Sequence, residues 1–81
     1  MNGNLTLDCL KIGESSTVKE LSVSGSMRRR LLDIGLVENT LIECIGRSPS
    51  GDPSAYMIRG AVIALRSEDC SYIIIKSNKE E

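Results

Sequence analysis

The stretch Met27-Arg-Arg-Arg-Leu-Leu-Asp-Ile-Gly35 decides the fold prediction, because it is the one convincing helix among segments that resemble strands. Met27, Leu31 and Ile34 recur at positions i, i+4 and i+7 and therefore share one helical face. Ser26 can cap the start of this helix, and Gly35 can supply the left-handed residue that closes it. We predict a short helix whose single apolar face packs on the rest of the protein.

Three consecutive arginines, Arg28, Arg29 and Arg30, fall in the predicted first turn, where the helix dipole disfavours positive charge. One interpretation is a solvent-exposed face on which Asp33 pairs with Arg29 or Arg30, worth about 0.2–0.5 kcal/mol per pair. The other is a contact surface, because guanidinium groups bind carboxylates in a bidentate manner and suit protein interfaces. The arginine triplet is therefore a candidate for binding a partner protein.

The length of 81 residues predicts one small domain, whose core we place at about 7–76 between polar ends that we expect to be flexible. The 10 basic and 11 acidic side chains give a net charge of −1, which provides no general attraction for nucleic acid. No apolar run approaches the roughly 18–20 residues of a membrane span, and the N-terminus lacks the basic and apolar regions of a signal peptide. We therefore expect a cytoplasmic protein that does not insert into a membrane.

The inventory of reactive side chains excludes most kinds of catalytic and metal site. The chain contains no histidine, so imidazole metal sites, Ser-His-Asp triads and Cys-His dyads are excluded. Its three cysteines, Cys9, Cys44 and Cys70, form no CxxC pair, and the latter two lie in apolar surroundings typical of buried thiols. A phosphate-binding GxxxxGKS loop is also absent, so we predict that the chain does not bind GTP itself, and we expect no cofactor and no tightly held metal.

The rest of the chain predicts short strands separated by turns. The turn before the second strand contains Asn39, which tolerates positive φ, and Gly60 forms a tight joint between the third and fourth strands. A skip in the apolar alternation between Val18 and Leu21 indicates a bulge in the first strand. The predicted strands are Thr17–Val23, Thr40–Arg47, Ala55–Arg59, Ala61–Leu65 and Tyr72–Lys76.

Five short strands in so small a chain favour a closed or nearly closed sheet, which leaves few free edges. The order includes a long loop after the first strand, which contains the helix, and a polar turn before the last strand. This order predicts an all-β, SH3-like barrel with one short helix inserted in the first long loop. The helix would then pack its apolar face across an open end of the barrel.

Three segments, taken in order, resemble the FeoA family: Arg-Arg-Arg-Leu-Leu-Asp-Ile-Gly-Leu (28–36), Ser-Pro-Ser-Gly-Asp-Pro (48–53) and Ile-Arg-Gly-Ala-Val-Ile-Ala-Leu-Arg (58–66). FeoA is the small cytoplasmic protein of bacterial ferrous iron uptake. The resemblance implies an SH3-like barrel, no catalysis by the protein itself, and a partner, the membrane transporter FeoB with its G domain. Glu38-Asn39 stands where the family usually has Pro-Gly, which puts only the rigidity of that turn in doubt.

Two alternatives to this function remain open at this stage. A generic SH3-like peptide binder uses an aromatic-lined groove, but this chain has no Phe or Trp and only Tyr56 and Tyr72. The barrel domain of a metal-responsive repressor shares the fold, but such a repressor also needs a DNA-reading helix pair and metal ligands. One loop residue, Asp52, either completes the 48–53 turn or contacts a partner.

Overall fold

The computed structural model describes residues 5–76, which form a mostly antiparallel β structure with one substantial helix. A single turn of 3₁₀ helix, Leu7–Cys9, follows the first strand. The elements in chain order are β1 (Leu5–Thr6), β2 (Ser15–Leu21), α1 (Gly25–Ile34), β3 (Leu41–Arg47), β4 (Ser54–Ile58), β5 (Ala61–Leu65), α2 (Ser67–Cys70) and β6 (Ile73–Ile75). The flexible ends predicted from the sequence, 1–4 and 77–81, lie outside the described residues.

The six strands form one sheet in the order β1-β6-β2-β3-β4-β5, in which every neighbouring pair is antiparallel. The sequence predicted about five strands, and the sixth is the two-residue β1, whose Leu5 pairs with Ile75. The predicted bulge is confirmed, because the β2–β6 register shifts between Val18 and Glu20.

Several predicted element bounds are wrong by one or two residues. The first full strand begins at Ser15 rather than Thr17, because Ser15 already pairs with Glu43 of β3. The third predicted strand begins at Ser54, which pairs with both Arg47 and Leu65. The polar segment before the last strand forms the single α-helical turn α2.

The helix α1 packs on the sheet as its apolar periodicity predicted. Leu31 is fully buried, and Met27 and Ile34 are half-buried against the same core. The buried core consists of Leu7, Leu10, Val18, Leu31, Leu36, Ile42, Cys44, Tyr56, Ile58, Leu65, Cys70, Ile73 and Ile75. Since α1 and all of the longer strands contribute to this cluster, the helix completes the core of the sheet.

The start of α1 differs from the prediction. The helix begins at Gly25, so the capping position is Ser24 rather than Ser26, and the Ser24 side chain makes no capping hydrogen bond. The chain enters the helix through Gly25 with φ of +74°, a conformation that a glycine adopts without a steric penalty. Ser26 consequently lies inside the first turn.

The end of α1 is confirmed at Gly35, which adopts φ of +111°. Its N–H donates to the carbonyl of Leu32 (2.9 Å), and the next N–H, of Leu36, donates to the carbonyl of Leu31 (3.2 Å). This pair of bonds is the Schellman motif, and the buried Leu36 and Leu31 supply the apolar contact that accompanies it. The helix therefore stops at the predicted glycine and returns the chain to the core.

Candidate functional site

The arginine triplet lies in the middle of α1 rather than in its first turn. Because the helix begins at Gly25, the residues Arg28, Arg29 and Arg30 occupy its fourth to sixth positions. The dipole effect falls off within the first turn, so the predicted conflict with the helix dipole applies at most to Arg28. All three side chains are exposed, and steps of about 100° per residue spread them around the solvent side of the helix.

One of these arginines is oriented toward a residue of another element. The guanidinium of Arg30 lies 3.9 Å from the carboxylate of Asp69 in α2, and the Asp69 side chain is largely buried. No ion pair joins Asp33 to Arg29 or Arg30 in the part of the chain that the structure describes, contrary to the sequence interpretation. Arg28 and Arg29 are therefore the members of the triplet that are free to contact another molecule.

Asp52, the second candidate for partner binding, has an intramolecular role in this structure. Its carboxylate accepts a hydrogen bond from the backbone N–H of Ser67 (2.8 Å), and the Ser67 hydroxyl lies 3.4 Å from its other oxygen. Asp52 thereby caps the first turn of α2, although it stands fifteen residues earlier in the chain. The contact links the 48–53 loop to α2.

The residues predicted to shape turns, Asn39 and Gly60, both adopt positive φ. Asn39 adopts φ of +71°, as predicted, and its side-chain oxygen accepts a hydrogen bond from the ammonium of Lys76 (2.6 Å). Gly60 occupies a two-residue hairpin turn with φ of +85°. Its neighbour Arg59 also has a positive φ, +51°, and extends over Gly35, where an added Cβ would lie 2.6 Å from the Arg59 Cδ.

Arg59 is a residue that the sequence reasoning missed. A two-residue hairpin turn with positive φ at both positions favours Asn, Asp or Gly at the first one, so an arginine there is unusual. The signal available in the sequence was Arg-Gly between two apolar strands. The contact with Gly35, however, depends on a long-range approach that no local pattern reveals.

A surface groove lies on the outer face of β3 and β4, beside this turn. It encloses about 290 Å³ and is lined by Thr40, Leu41, Glu43, Met57, Arg59 and Gly60. Leu41 is among the most exposed apolar side chains of the described residues. The groove therefore combines apolar walls with one acidic and one basic side chain, a composition that suits protein contacts more than catalysis.

The core of the described residues contains one hydrogen-bonded thiol–phenol pair. The Cys70 thiol lies 3.5 Å from the Tyr56 hydroxyl in the core. Burial raises the pKa of the Cys70 thiol to about 11 and also raises the pKa of Tyr56. Both groups therefore stay protonated near neutral pH, and the thiol is a poor nucleophile there. Cys44 is buried as predicted, whereas Cys9 is exposed.

The described residues offer no metal centre and no membrane-spanning helix. Between residues 5 and 76, no three His, Cys, Asp or Glu side chains are grouped in a way that could hold a metal ion. No helix in that range is long and apolar enough to cross a membrane.

Comparison with known proteins gives matches over nearly the whole chain. The sequence profile of the FeoA domain matches residues 5–77. A solution structure of an FeoA-like protein from Clostridium acetobutylicum superposes with a TM-score of 0.86 at 28% identity, covering 100% of this chain and 94% of that one. No curated protein sequence matches the chain.

Two further structures share the fold at lower identity. FeoA of Stenotrophomonas maltophilia in complex with zinc, described as a prokaryotic SH3 domain protein, has a TM-score of 0.80 at 21% identity and covers 89% of each chain. A manganese-dependent transcriptional repressor has a TM-score of 0.79 at 22% identity, covering 90% of this chain but 41% of the repressor. The SH3-like fold predicted from the sequence is thus confirmed.

Proposed function

Because this chain belongs to the FeoA domain family, which is implicated in ferrous iron transport, we propose that it is a non-catalytic accessory protein of bacterial ferrous iron uptake. It acts in the cytoplasm by docking on the FeoB transporter, at the G domain or another cytoplasmic part. The observation that carries this proposal is the match of residues 5–77 to the family. The S. maltophilia relative has itself been suggested to activate ferrous iron transport.

The chemistry of the described surface supports a role through binding. The thiol–phenol pair is buried and protonated, whereas the arginines of α1 and the charged side chains of the β3–β4 groove are exposed. We place part of the docking surface on the arginine triplet. Arg28 and Arg29 contribute most to it, since Arg30 is oriented toward Asp69. Exposed guanidinium groups bind carboxylates of a partner without a large desolvation cost.

A matched pair of variants tests this proposal. Arg28→Ala combined with Arg29→Ala should weaken binding to FeoB in a membrane pull-down and reduce ferrous iron uptake. The loss should be larger at physiological salt than at high salt, where screening weakens charged contacts. Lys11→Ala combined with Lys19→Ala removes the same charge from exposed positions outside α1 and should leave binding unchanged. Circular dichroism spectra and melts should match the parent for both variants.

The possible results distinguish an error in the proposed docking surface from an error in the proposed function. Equal binding by both double variants would show that the arginines are a solvent-exposed face and that docking uses another surface. Failure of the parent protein to bind FeoB, with uptake unaffected by its deletion, would contradict the proposed function itself.

The alternative function is the barrel domain of a metal-responsive repressor, which the manganese-dependent repressor's shared fold favours. Such a repressor needs a pair of DNA-reading helices, and among residues 5–76 only α1 is longer than one turn. The neighbouring genes distinguish the two functions: an adjacent FeoB reading frame supports iron uptake, and fusion to a DNA-binding domain supports the repressor.

A further inference from the structure

The strand β5 is an open edge of the sheet. It stands last in the strand order and pairs only with β4 among the described residues. Its sequence, Ala61-Val-Ile-Ala-Leu65, contains no proline, no charge and no bulge. Proteins usually protect long edge strands with such features, because an unprotected edge accepts another strand. The opposite edge, β1, is protected by its length of two residues.

The register identifies the free backbone groups of this edge. Ile58 and Ala61 flank the two-residue turn and form a hydrogen-bonded pair, so Ile63 and Leu65 also bond to β4. The N–H and C=O groups of Val62 and Ala64 consequently point away from β4. Both residues are exposed, and no backbone partner for them occurs within residues 5–76. Two donors and two acceptors are thus presented at the spacing of a β ladder.

An apolar row on the outer face of the sheet leads to the same edge, running diagonally from Leu41 to Met57 and then across to Val62. Glu43 of β3 lies directly opposite Met57. Leu41 and Met57 line the groove described above, and Met57 pairs directly with Val62 across the β4–β5 ladder. Leu41 is 62% exposed and Val62 is 60% exposed. A strand added to β5 would extend this row by one position and cover Val62, so an apolar side chain is favoured opposite it.

Two arginines bracket the edge and define the charge of its occupant. Arg59 stands two residues before β5 and Arg66 directly follows it. Both are exposed, and neither forms an ion pair in the described chain. The carboxylates of Asp52 and Asp69 at the α2 end are directed to Ser67 and Arg30. The arginine charges therefore remain available to acidic residues of an incoming strand.

The same charges disfavour a second copy of this chain at the edge. An antiparallel β5–β5 pair centred on Ile63 would bring the Arg59–Gly60 turn of each copy beside Arg66 of the other. In that register Arg66 stands opposite Gly60 and one position from Arg59 of the other copy, so the two-fold symmetry would bring like charges near each other twice, which disfavours the pair.

We propose that β5 binds an extended apolar segment of a partner protein, flanked by acidic residues, through strand addition at Val62 and Ala64. The backbone ladder supplies affinity, and the apolar row and the two arginines select the segment. This surface is separate from the arginine triplet, and the inference stands whether or not the partner is the transporter.

The test uses a soluble probe peptide, acetyl-Glu-Thr-Val-Thr-Val-Thr-Glu-amide, and amide hydrogen exchange followed by NMR. In the free protein the Val62 and Ala64 amides should exchange at nearly the rate of an unstructured chain. Peptide at about ten times its Kd should slow both amides about tenfold. A peptide with Lys in place of both Glu residues should give less than about a twofold effect at the same concentration, because it meets like charges.

Variants of the edge complete the test. Ala64→Pro removes one outward N–H without removing a bond to β4, and Val62→Glu replaces the apolar side chain of the edge with a charge that repels the Glu peptide. Each should abolish protection by the Glu peptide, and Val62→Glu remains informative if the proline variant does not fold. Ile12→Glu is the matched control, since Ile12 is 59% exposed but lies outside the sheet, and it should bind like the parent.

Three results would overturn the inference. The first is the absence of protection at Val62 and Ala64 with millimolar Glu peptide, and the second is equal protection by the Lys peptide. The third is protection that rises with protein concentration without any peptide, which would identify a second copy of the chain as the occupant.

Discussion

Substitution of Gly35 by alanine examines the contact between the end of α1 and the β4–β5 hairpin. Gly35 has φ of +111°, which costs an L-residue about 1–2 kcal/mol. The new Cβ would also lie 2.6 Å from the Cδ of Arg59, far inside van der Waals contact. Arg59 is held by its hairpin turn, so its side chain must move away from the helix.

The two effects together predict a loss of about 2–3 kcal/mol in the free energy of unfolding. The cost of overpacking is taken at the low end of its usual range of about 1–3 kcal/mol, because the flexible Arg59 side chain can bend away. For a domain of this size, 1 kcal/mol corresponds to about 4–8 °C in Tm. We therefore expect Gly35→Ala to lower Tm by about 8–24 °C in a thermal melt followed by circular dichroism.

Gly13 provides the matched control, because it has φ of +95° and an added Cβ there would meet no atom within 4 Å. Gly13→Ala should lower the free energy of unfolding only by the cost of a positive φ for an L-residue, about 1–2 kcal/mol. Adding Arg59→Ala to Gly35→Ala removes the steric contact. The free energy of unfolding should then rise by the difference between the losses caused by Gly35→Ala and by Gly13→Ala. Equal losses at both glycines would refute the steric contact with Arg59, and an unchanged Tm for Gly35→Ala would refute the helix end itself.

Four further predictions concern the cap of α2, the reactivity of the thiols, the pH dependence of stability, and metal. Asp52→Ala should lower the free energy of unfolding by about 1 kcal/mol in urea titrations, because it removes the cap on the Ser67 N–H. A colorimetric thiol reagent at pH 8 should modify Cys9 rapidly and the two buried cysteines only after unfolding. Because burial raises the pKa of Cys70 from 9.0 to about 11, the unfolded state ionises first, and stability should fall as pH rises from 9 to 11. This fall should be smaller in Cys70→Ala. Finally, protein dialysed against a chelator should retain no stoichiometric iron or zinc by elemental analysis, and retention would point to the cysteines.

Local patterns were sufficient wherever one short segment determines its own conformation. The i, i+4, i+7 spacing identified the buried face of α1, and the residue after its last apolar position identified Gly35 as the helix end. Asn39 was predicted for the same reason, since few residues accept positive φ. Helix start signals were weaker, because Ser24 and Ser26 are both acceptable caps in the sequence and the turn at Gly25 decides between them.

The sequence by itself therefore determined the family, through the resemblance of three ordered segments, and also the SH3-like order of elements and the turn residues Gly35, Asn39 and Gly60. The order of elements and the turn residues follow from periodicity and backbone dihedral preferences, which are local properties. The tertiary structure alone decided what the charged side chains contact. It directs Arg30 to Asp69, Asp52 to Ser67 and Arg59 over Gly35, and it leaves the edge of β5 unpaired. Each of these depends on strand register and on the approach of segments far apart in the chain, which no short stretch of residues encodes.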